Sequence, residues 1–195
     1  MRELSLHILD IAENSVSAGA SEVDIFVEEN IDKDRLSITI KDNGKGMDAE
    51  TTKRVLDPFV TSRTTRKVGL GLPLLKAAAE GCNGSFSIES ALGFGTKMQV
   101  VFQLSHIDRM PLGDLAETWL TLLLGSPEVN WVFSYQVADE VFFINDKDIK
   151  SELNGISLTE PGVMKIIREV IRNGVETVRQ NAKENICQQS SPLTI

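Results

Sequence analysis

Cysteine is scarce: the 195 residues contain two, Cys82 and Cys187. They stand alone, with neither the pattern of a disulfide framework nor the spacing of metal ligands, and fit a reducing, cytoplasmic setting. Long apolar runs are missing as well. The longest, around Trp119 to Leu124, is far too short to cross a bilayer, and the first residues do not spell a secretory signal, so no membrane partner is expected. Positive charge is outnumbered, 20 lysines and arginines against 28 acids, for a net charge of −8. No basic stretch is long enough to track a phosphate backbone, which argues against nucleic acid as a primary partner. What is present is a 42% apolar chain, enough for one domain of comfortable size or a compact domain with a smaller appendage.

The most informative stretch is Asp42-Asn43-Gly44-Lys45-Gly46-Met47. Upstream, Leu36, Ile38 and Ile40 alternate with Ser37, Thr39 and Lys41, the period-two pattern of a strand with one buried face. Continuing that parity puts Asp42 on the apolar side, where a carboxylate is costly unless a donor meets it. Gly44 and Gly46 leave room for a ligand to approach the backbone. The combination predicts a pocket for a flat, nitrogen-rich ligand, although Asp-Asn-Gly is equally ordinary turn chemistry.

Ahead of it, Leu4 to about Ala18 carries apolar residues at helical spacing, interrupted by His7, Asp10 and Asn14, which share one face. A carboxylate and a carboxamide one turn apart on a core helix need partners, from each other, from backbone or from a ligand. His7 taken alone is expected to be a satisfied core histidine. Val23, Ile25 and Val27 form the next strand, and Asn30 to Arg35 a turn. Asp48 caps a short helix reaching Leu56, which Asp57-Pro58 stops.

Between Val60 and Val68 runs a hydrophilic loop carrying Arg63, Arg66 and Lys67, followed by Gly69-Leu70-Gly71-Leu72-Pro73 and a helix through Glu80. Proline at a helix start, a glycine-rich approach and three cations describe an anion site that favours phosphate. The same residues could also make a mobile loop with solvated charges. Gly81 to Gly84 turns the chain, Phe86 and Ile88 lie on a strand, and Gly93-Phe94-Gly95-Thr96 makes a hairpin into Met98, Val100, Phe102 and Leu104. Helix, two strands, short helix, loop, helix and two strands give an α/β sandwich with helices on one face of a mixed sheet.

In this order, the segments from residue 4 to 104 resemble the GHKL superfamily, which groups DNA gyrase, the heat-shock chaperone ATPases, histidine kinases and MutL-type repair ATPases. Glu13-Asn14-Ser15-Val16-Ser17-Ala18-Gly19-Ala20 resembles the N-box as MutL-type proteins write it. Asp57-Pro58-Phe59-Val60-Thr61-Ser62 and Gly69-Leu70-Gly71-Leu72 resemble the lid and second glycine box of sensor kinases, and Gly93-Phe94-Gly95-Thr96 the last glycine box. The implied fold class is α+β, a two-layer sandwich of Bergerat type with a small C-terminal α+β appendage. The chain divides into an ATP-binding domain over 1–105, an appendage or partner-binding region over 106–187 and a disordered tail over 188–195.

The resemblance implies ATP and Mg²⁺ as ligands. Asn14 ligates the metal, Asp42 accepts a hydrogen bond from the adenine amino group, and Thr96 supports the adenine edge through water. Gly44, Gly46 and Met47 lie by the base. Thr61, Ser62, Gly69, Leu70, Gly71 and Leu72 complete the nucleotide-binding set, with Arg63, Arg66 or Lys67 neutralising the γ-phosphoryl charge. Asp10 stands where hydrolysing members carry a water-activating glutamate, and its shorter carboxylate predicts slow hydrolysis, since a misplacement of about 1 Å can cost on the order of a hundredfold. The helix beginning by Leu4 leaves no room upstream for the histidine-bearing dimerisation hairpin of sensor kinases.

After this region, Ser105-His106-Ile107-Asp108-Arg109-Met110-Pro111-Leu112 resembles the phosphoacceptor box of sensor kinases at its serine, histidine, arginine, proline and leucine, but has Ile107 where the family has an acid, lies after the ATP domain rather than before it and lacks the family's long helical hairpin. That makes His106 a candidate phosphoacceptor, against a plain domain junction. A short helix over Leu112 to Leu124, a hairpin from Trp131 to Ile144, a loop through Asn154-Gly155 and a long amphipathic helix from Pro161 to about Glu184 follow. This half suits a cover for the ATP domain, a partner surface or a homodimer. The expected function is a cytoplasmic Mg-ATP-binding, histidine-kinase-like protein that transfers the γ-phosphoryl group to a protein partner or itself. The alternative is a nucleotide-gated binding module with slow or no hydrolysis. The acidic balance disfavours a MutL-like clamp on nucleic acid.

Overall fold

The strand pattern holds in the computed structural model, which describes residues 3–56 and 71–189. β1 (Glu22–Asn30) and β2 (Arg35–Asp42) pair antiparallel, with Ile25 opposite Ile40 and Val23 opposite Asp42. Val23, Ile25, Val27, Ile38 and Ile40 are all buried, so one face of the ribbon is apolar up to Asp42 at its end. β2 pairs with β4 (Gly95–Gln103), and β4 with β3 (Ser85–Ala91), both antiparallel.

The α+β segment that follows residue 105 adds to this same sheet. β5 (Asn130–Val137) lies parallel to β1, and β6 (Glu140–Asn145) pairs antiparallel with β5, giving the order β3-β4-β2-β1-β5-β6. Trp131, Phe133 and Tyr135 sit opposite Val23, Ile25 and Val27 and continue the buried face.

Helices cover that face. α1 (Leu4–Ser17) packs on β2, α3 (Gly71–Gly81) on β3 and β4, α4 (Leu115–Gly125) on α1, and α6 (Pro161–Gln189) on β5, β6 and α4. Leu4 and Ile8 of α1 join Trp119 of α4 and Ile171 of α6 in one hydrophobic cluster. α1 has no side-chain cap at Glu3. Instead the Leu4 and Ser5 N–H groups donate to the Pro111 and Leu112 carbonyls at 3.0 and 2.9 Å. The second half of the chain thereby satisfies donors that a helix start leaves open.

Five helices differ from expectation. α2 (Ala49–Arg54), capped by Asp48 accepting from the Thr51 N–H, ends before Leu56. α3 begins at Gly71 rather than Pro73. α4 begins at Leu115 rather than Leu112, because the chain around Pro111 and Leu112 lies against α1 and Asp114 supplies the cap. α5 (Asp146–Glu152) forms where the sequence predicts a loop, with Asn145 Oδ1 accepting from the Lys147 N–H at 3.0 Å. α6 continues past Glu184 to Gln189 and takes in the first two residues of the expected tail; 190–195 lie outside the described residues.

Candidate functional site

Asp42 closes β2 on the buried face and is 7% exposed. Three donors meet it: the Gly44 N–H at 2.9 Å and the Thr96 N–H at 3.2 Å on Oδ1, and Ser15 Oγ at 2.8 Å on Oδ2. A carboxylate offers about four acceptor positions, so this arrangement fixes the side chain and leaves an acceptor for an incoming N–H. Both oxygens are held by neutral groups. Asp42 lies on the inward side that strand parity predicts, and its donors come from α1, the glycine turn and β4.

The turn after Asp42 is locked to the β3–β4 hairpin. Gly46 has φ +64°, and a Cβ there would stand 1.9 Å from the Ala91 carbonyl oxygen. Gly95 has φ +83°, and its Cβ would stand 2.0 Å from the Asp42 carbonyl oxygen. Both close approaches exclude a side chain. The Gly93 N–H donates to the Lys45 carbonyl at 2.8 Å, and the Met47 N–H to Ser90 Oγ at 2.8 Å. Ser90 Oγ also lies 2.9 Å from Thr96 Oγ1. Gly44 is buried against Ala18, the helix end of the N-box segment.

Ser15 and Ser90 belong to this network, and the sequence reading gave neither a role. Each carries the signal that finds Asp42: Ser90 continues the parity of Phe86 and Ile88, and Ser15 the buried spacing of Ile8 and Ile11. A polar residue at a buried position implies a partner.

On α1 the polar face divides by depth. Asn14 is exposed, Asp10 half-buried and His7 4% exposed. Asp10 Oδ2 lies 3.3 Å from the point where a Cβ on Gly71 would stand, so the carboxylate sits at the first residue of α3. Open N–H groups at such a helix start favour anions, and Leu72 occupies the same turn. His7 departs from expectation. Its Nδ1 has no hydrogen-bond partner among the described residues, a condition that ordinarily costs about 1–3 kcal/mol. Burial pushes its pKa below the ordinary value, with the Asp10 carboxylate opposing.

Thr61, Ser62, Arg63, Arg66, Lys67, Gly69 and Leu70 lie outside the described residues. His106 is half-buried beyond the far end of β4, its Nδ1 accepting from the Asp108 N–H at 3.2 Å. That end is tied to the β1–β2 turn, where Asp34 accepts from the Ser105 N–H at 2.8 Å and Gln103 Nε2 at 2.7 Å. Thr96 pairs with Asp42 and Gln103 with Arg35, so the length of β4, about 23 Å at 3.3 Å per residue, separates His106 from Asp42. Among the described residues no group of three or more His, Cys, Asp and Glu could hold a metal ion. A magnesium ion that takes most of its ligands from phosphates and water needs only one or two protein oxygens, and the Asn14 carboxamide oxygen on the exposed side of α1 fits that demand.

The family described as histidine kinase-, DNA gyrase B-, and HSP90-like ATPase matches residues 2–106. Among curated relatives, the sensor histidine kinase YxdK of Bacillus subtilis is 33% identical over 108 residues, covering 51% of this chain and 32% of that protein. The sensor histidine kinase YvrG of the same organism is 31% identical over 87 residues, covering 43% of this chain and 15% of that protein. The chain thus spans less than a third of these relatives' length. Among solved structures, the N-terminal domain of a DNA repair protein shares the fold with a TM-score of 0.53 and 14% identity, covering 74% of this chain and 52% of the other. No helix among the described residues is long and apolar enough to cross a membrane.

Proposed function

Because the chain belongs to the histidine kinase-, DNA gyrase B-, and HSP90-like ATPase family, we propose that it binds ATP with Mg²⁺ and transfers the γ-phosphoryl group to a protein partner or to another copy of itself, in the cytoplasm. The observation that carries this reading is the Asp42 carboxylate, buried, fixed by three neutral donors and with an acceptor to spare. An exocyclic amino group is the donor such an acceptor selects, and Thr96 and Ser90 can hold an ordered water at the same edge. Gly44, Gly46 and Met47 would line the base. Gly71 and Leu72 at the start of α3 would meet the phosphates, together with Thr61, Ser62, Gly69 and Leu70. Arg63 and Lys67 would neutralise charge as it moves.

Asn14 would ligate the magnesium ion, which when bound supplies charge neutralisation on the phosphates. Transfer breaks the bond between the γ-phosphorus and its bridging oxygen and forms one to the acceptor, and Asp10 is poised to take the acceptor's proton. Catalysis of this kind consists mainly of positioning and electrostatic stabilisation. The kinase names of the matched relatives support transfer over simple hydrolysis. The length of β4 argues that His106, if it is phosphorylated, receives the group from a second copy.

A second reading, a nucleotide-gated binding module with slow or no hydrolysis, draws on one observation. The helix carrying Asp10 and Asn14 begins on the Pro111 and Leu112 carbonyls, so a nucleotide that shifts α1 pulls on the segment leading into α4. Incubation with γ-labelled ATP separates the two. Label on an added partner or on His106 supports transfer; tight ATP binding with no label transferred supports the module.

A further inference from the structure

The one buried titratable side chain on the polar face of α1 is His7. It is 4% exposed, its Nδ1 lacks a hydrogen-bond partner among the described residues, and it stands three residues from Asp10. Side chains so spaced on a helix lie about 5–6 Å apart at Cβ. The Asp10 carboxylate is directed at the first residue of α3. A purely packing role at this position is met by leucine without stranding a polar atom, so the histidine calls for a partner beyond those the described residues supply in its present rotamer.

The inference rests on the ATP-binding reading above. A triphosphate at the start of α3 brings several negative charges towards Asp10, and like charges at close range push the carboxylate away. A neutral imidazole can hold it in place by donating one hydrogen bond, without adding a cation that would compete for the phosphates. We propose that His7 is a positioning residue for Asp10: in the nucleotide-bound protein its Nδ1–H donates to the Asp10 carboxylate and keeps that group aimed at the start of α3. His7 precedes Asp10 by three residues on α1, and the proposed contact is to that carboxylate rather than to nucleotide or acceptor. His7 therefore acts on turnover through Asp10 alone.

The chain has two histidines, so histidine-selective ¹⁵N labelling yields two imidazoles, and His106→Gln assigns them. Addition of Mg²⁺ and a non-hydrolysable ATP analogue to the full chain is expected to bring up a slowly exchanging Nδ1 proton on His7 and none on His106. In Asp10→Ala this signal is lost, and in Asp10→Asn, which keeps the shape but offers only a neutral acceptor, it moves back towards its free position. Should Asp10→Ala fail to fold, Asp10→Asn alone decides. In turnover, His7→Leu lowers kcat by up to on the order of a hundredfold with nucleotide affinity unchanged, His7→Asn restores part of the loss, and the loss vanishes when Asp10 is already replaced. Bound nucleotide with an unmoved His7 resonance, or a signal that persists in both Asp10 variants, overturns this proposal and leaves the ATP reading intact. Absence of any nucleotide binding to the wild-type chain overturns both, and fluorescent-nucleotide titration tells the two failures apart.

Discussion

Ser15 Oγ donates a 2.8 Å hydrogen bond to Asp42 Oδ2, joining α1 to the end of β2 inside the core. The serine fixes one carboxylate oxygen while backbone N–H groups fix the other. Ser15→Ala should therefore loosen Asp42 without removing its charge. A hydrogen bond to a charged group contributes about 1.5–3 kcal/mol, so nucleotide affinity should fall by roughly tenfold to a hundredfold. Asp42→Asn should abolish binding while the chain stays folded, as circular dichroism beside a calorimetric titration would show; retained binding would mean the pocket lies elsewhere.

Asp10→Asn keeps the side chain's size and removes its basicity. Release of free phosphate from ATP should drop by about a hundredfold or more, within the range a general base contributes, while calorimetric ATP affinity changes little. Unchanged phosphate release would remove Asp10 from the chemistry.

Gly46→Ala should be structurally costly. A non-glycine residue at φ +64° costs roughly 1–2 kcal/mol, and the new Cβ would stand 1.9 Å from the Ala91 carbonyl oxygen. For a chain of this size each kcal/mol lowers Tm by about 2–4 °C, so a loss of at least about 4 °C is expected by scanning calorimetry. Because the Gly46 turn is locked to the β3–β4 hairpin, ATP affinity should fall alongside.

His7 should make stability fall in mild acid. Burial holds its pKa below the ordinary 6.5, the Asp10 charge opposing. Above 6.5 the imidazole is neutral in both folded and unfolded chains, and its contribution to stability is fully present. As pH falls through 6.5 and towards the folded value, the unfolded chain binds a proton that the folded one refuses, and stability declines by up to about 1.4 kcal/mol per pH unit. Urea titrations at pH 7 and pH 5.5 should show a smaller difference in His7→Leu than in the wild type.

The burial of Asp42 was legible because strand parity converts directly into burial. Asp42 falls on the inward side of β2, and the same rule marks Ser90 once β3 is known to be half-buried. The polar side chains of Asp10 and Asn14 stood out on an apolar helix for a similar reason. Pairing was not legible. Trp131, Phe133 and Tyr135 alternate plainly, yet nothing local says that they lie beside Val23, Ile25 and Val27, more than a hundred residues away in the chain. α5 was missed because seven residues carry too few apolar positions to show a period. The distance of His106 from Asp42 follows from the register of β4 with β2, which motif spacing does not encode.

The parallel pairing of β5 with β1 bears on how the chain can be divided. The sequence marks a junction after Ser105, and a cut there looks harmless on paper. It would strip β1 of a neighbour along eight paired positions, from Glu22 to Glu29, and turn an interior strand into a bare edge beside uncovered Leu4 and Ile8. Such edges recruit other chains. The piece over 1–105 should therefore associate or precipitate when made alone, the segment after it being what covers the β1 edge.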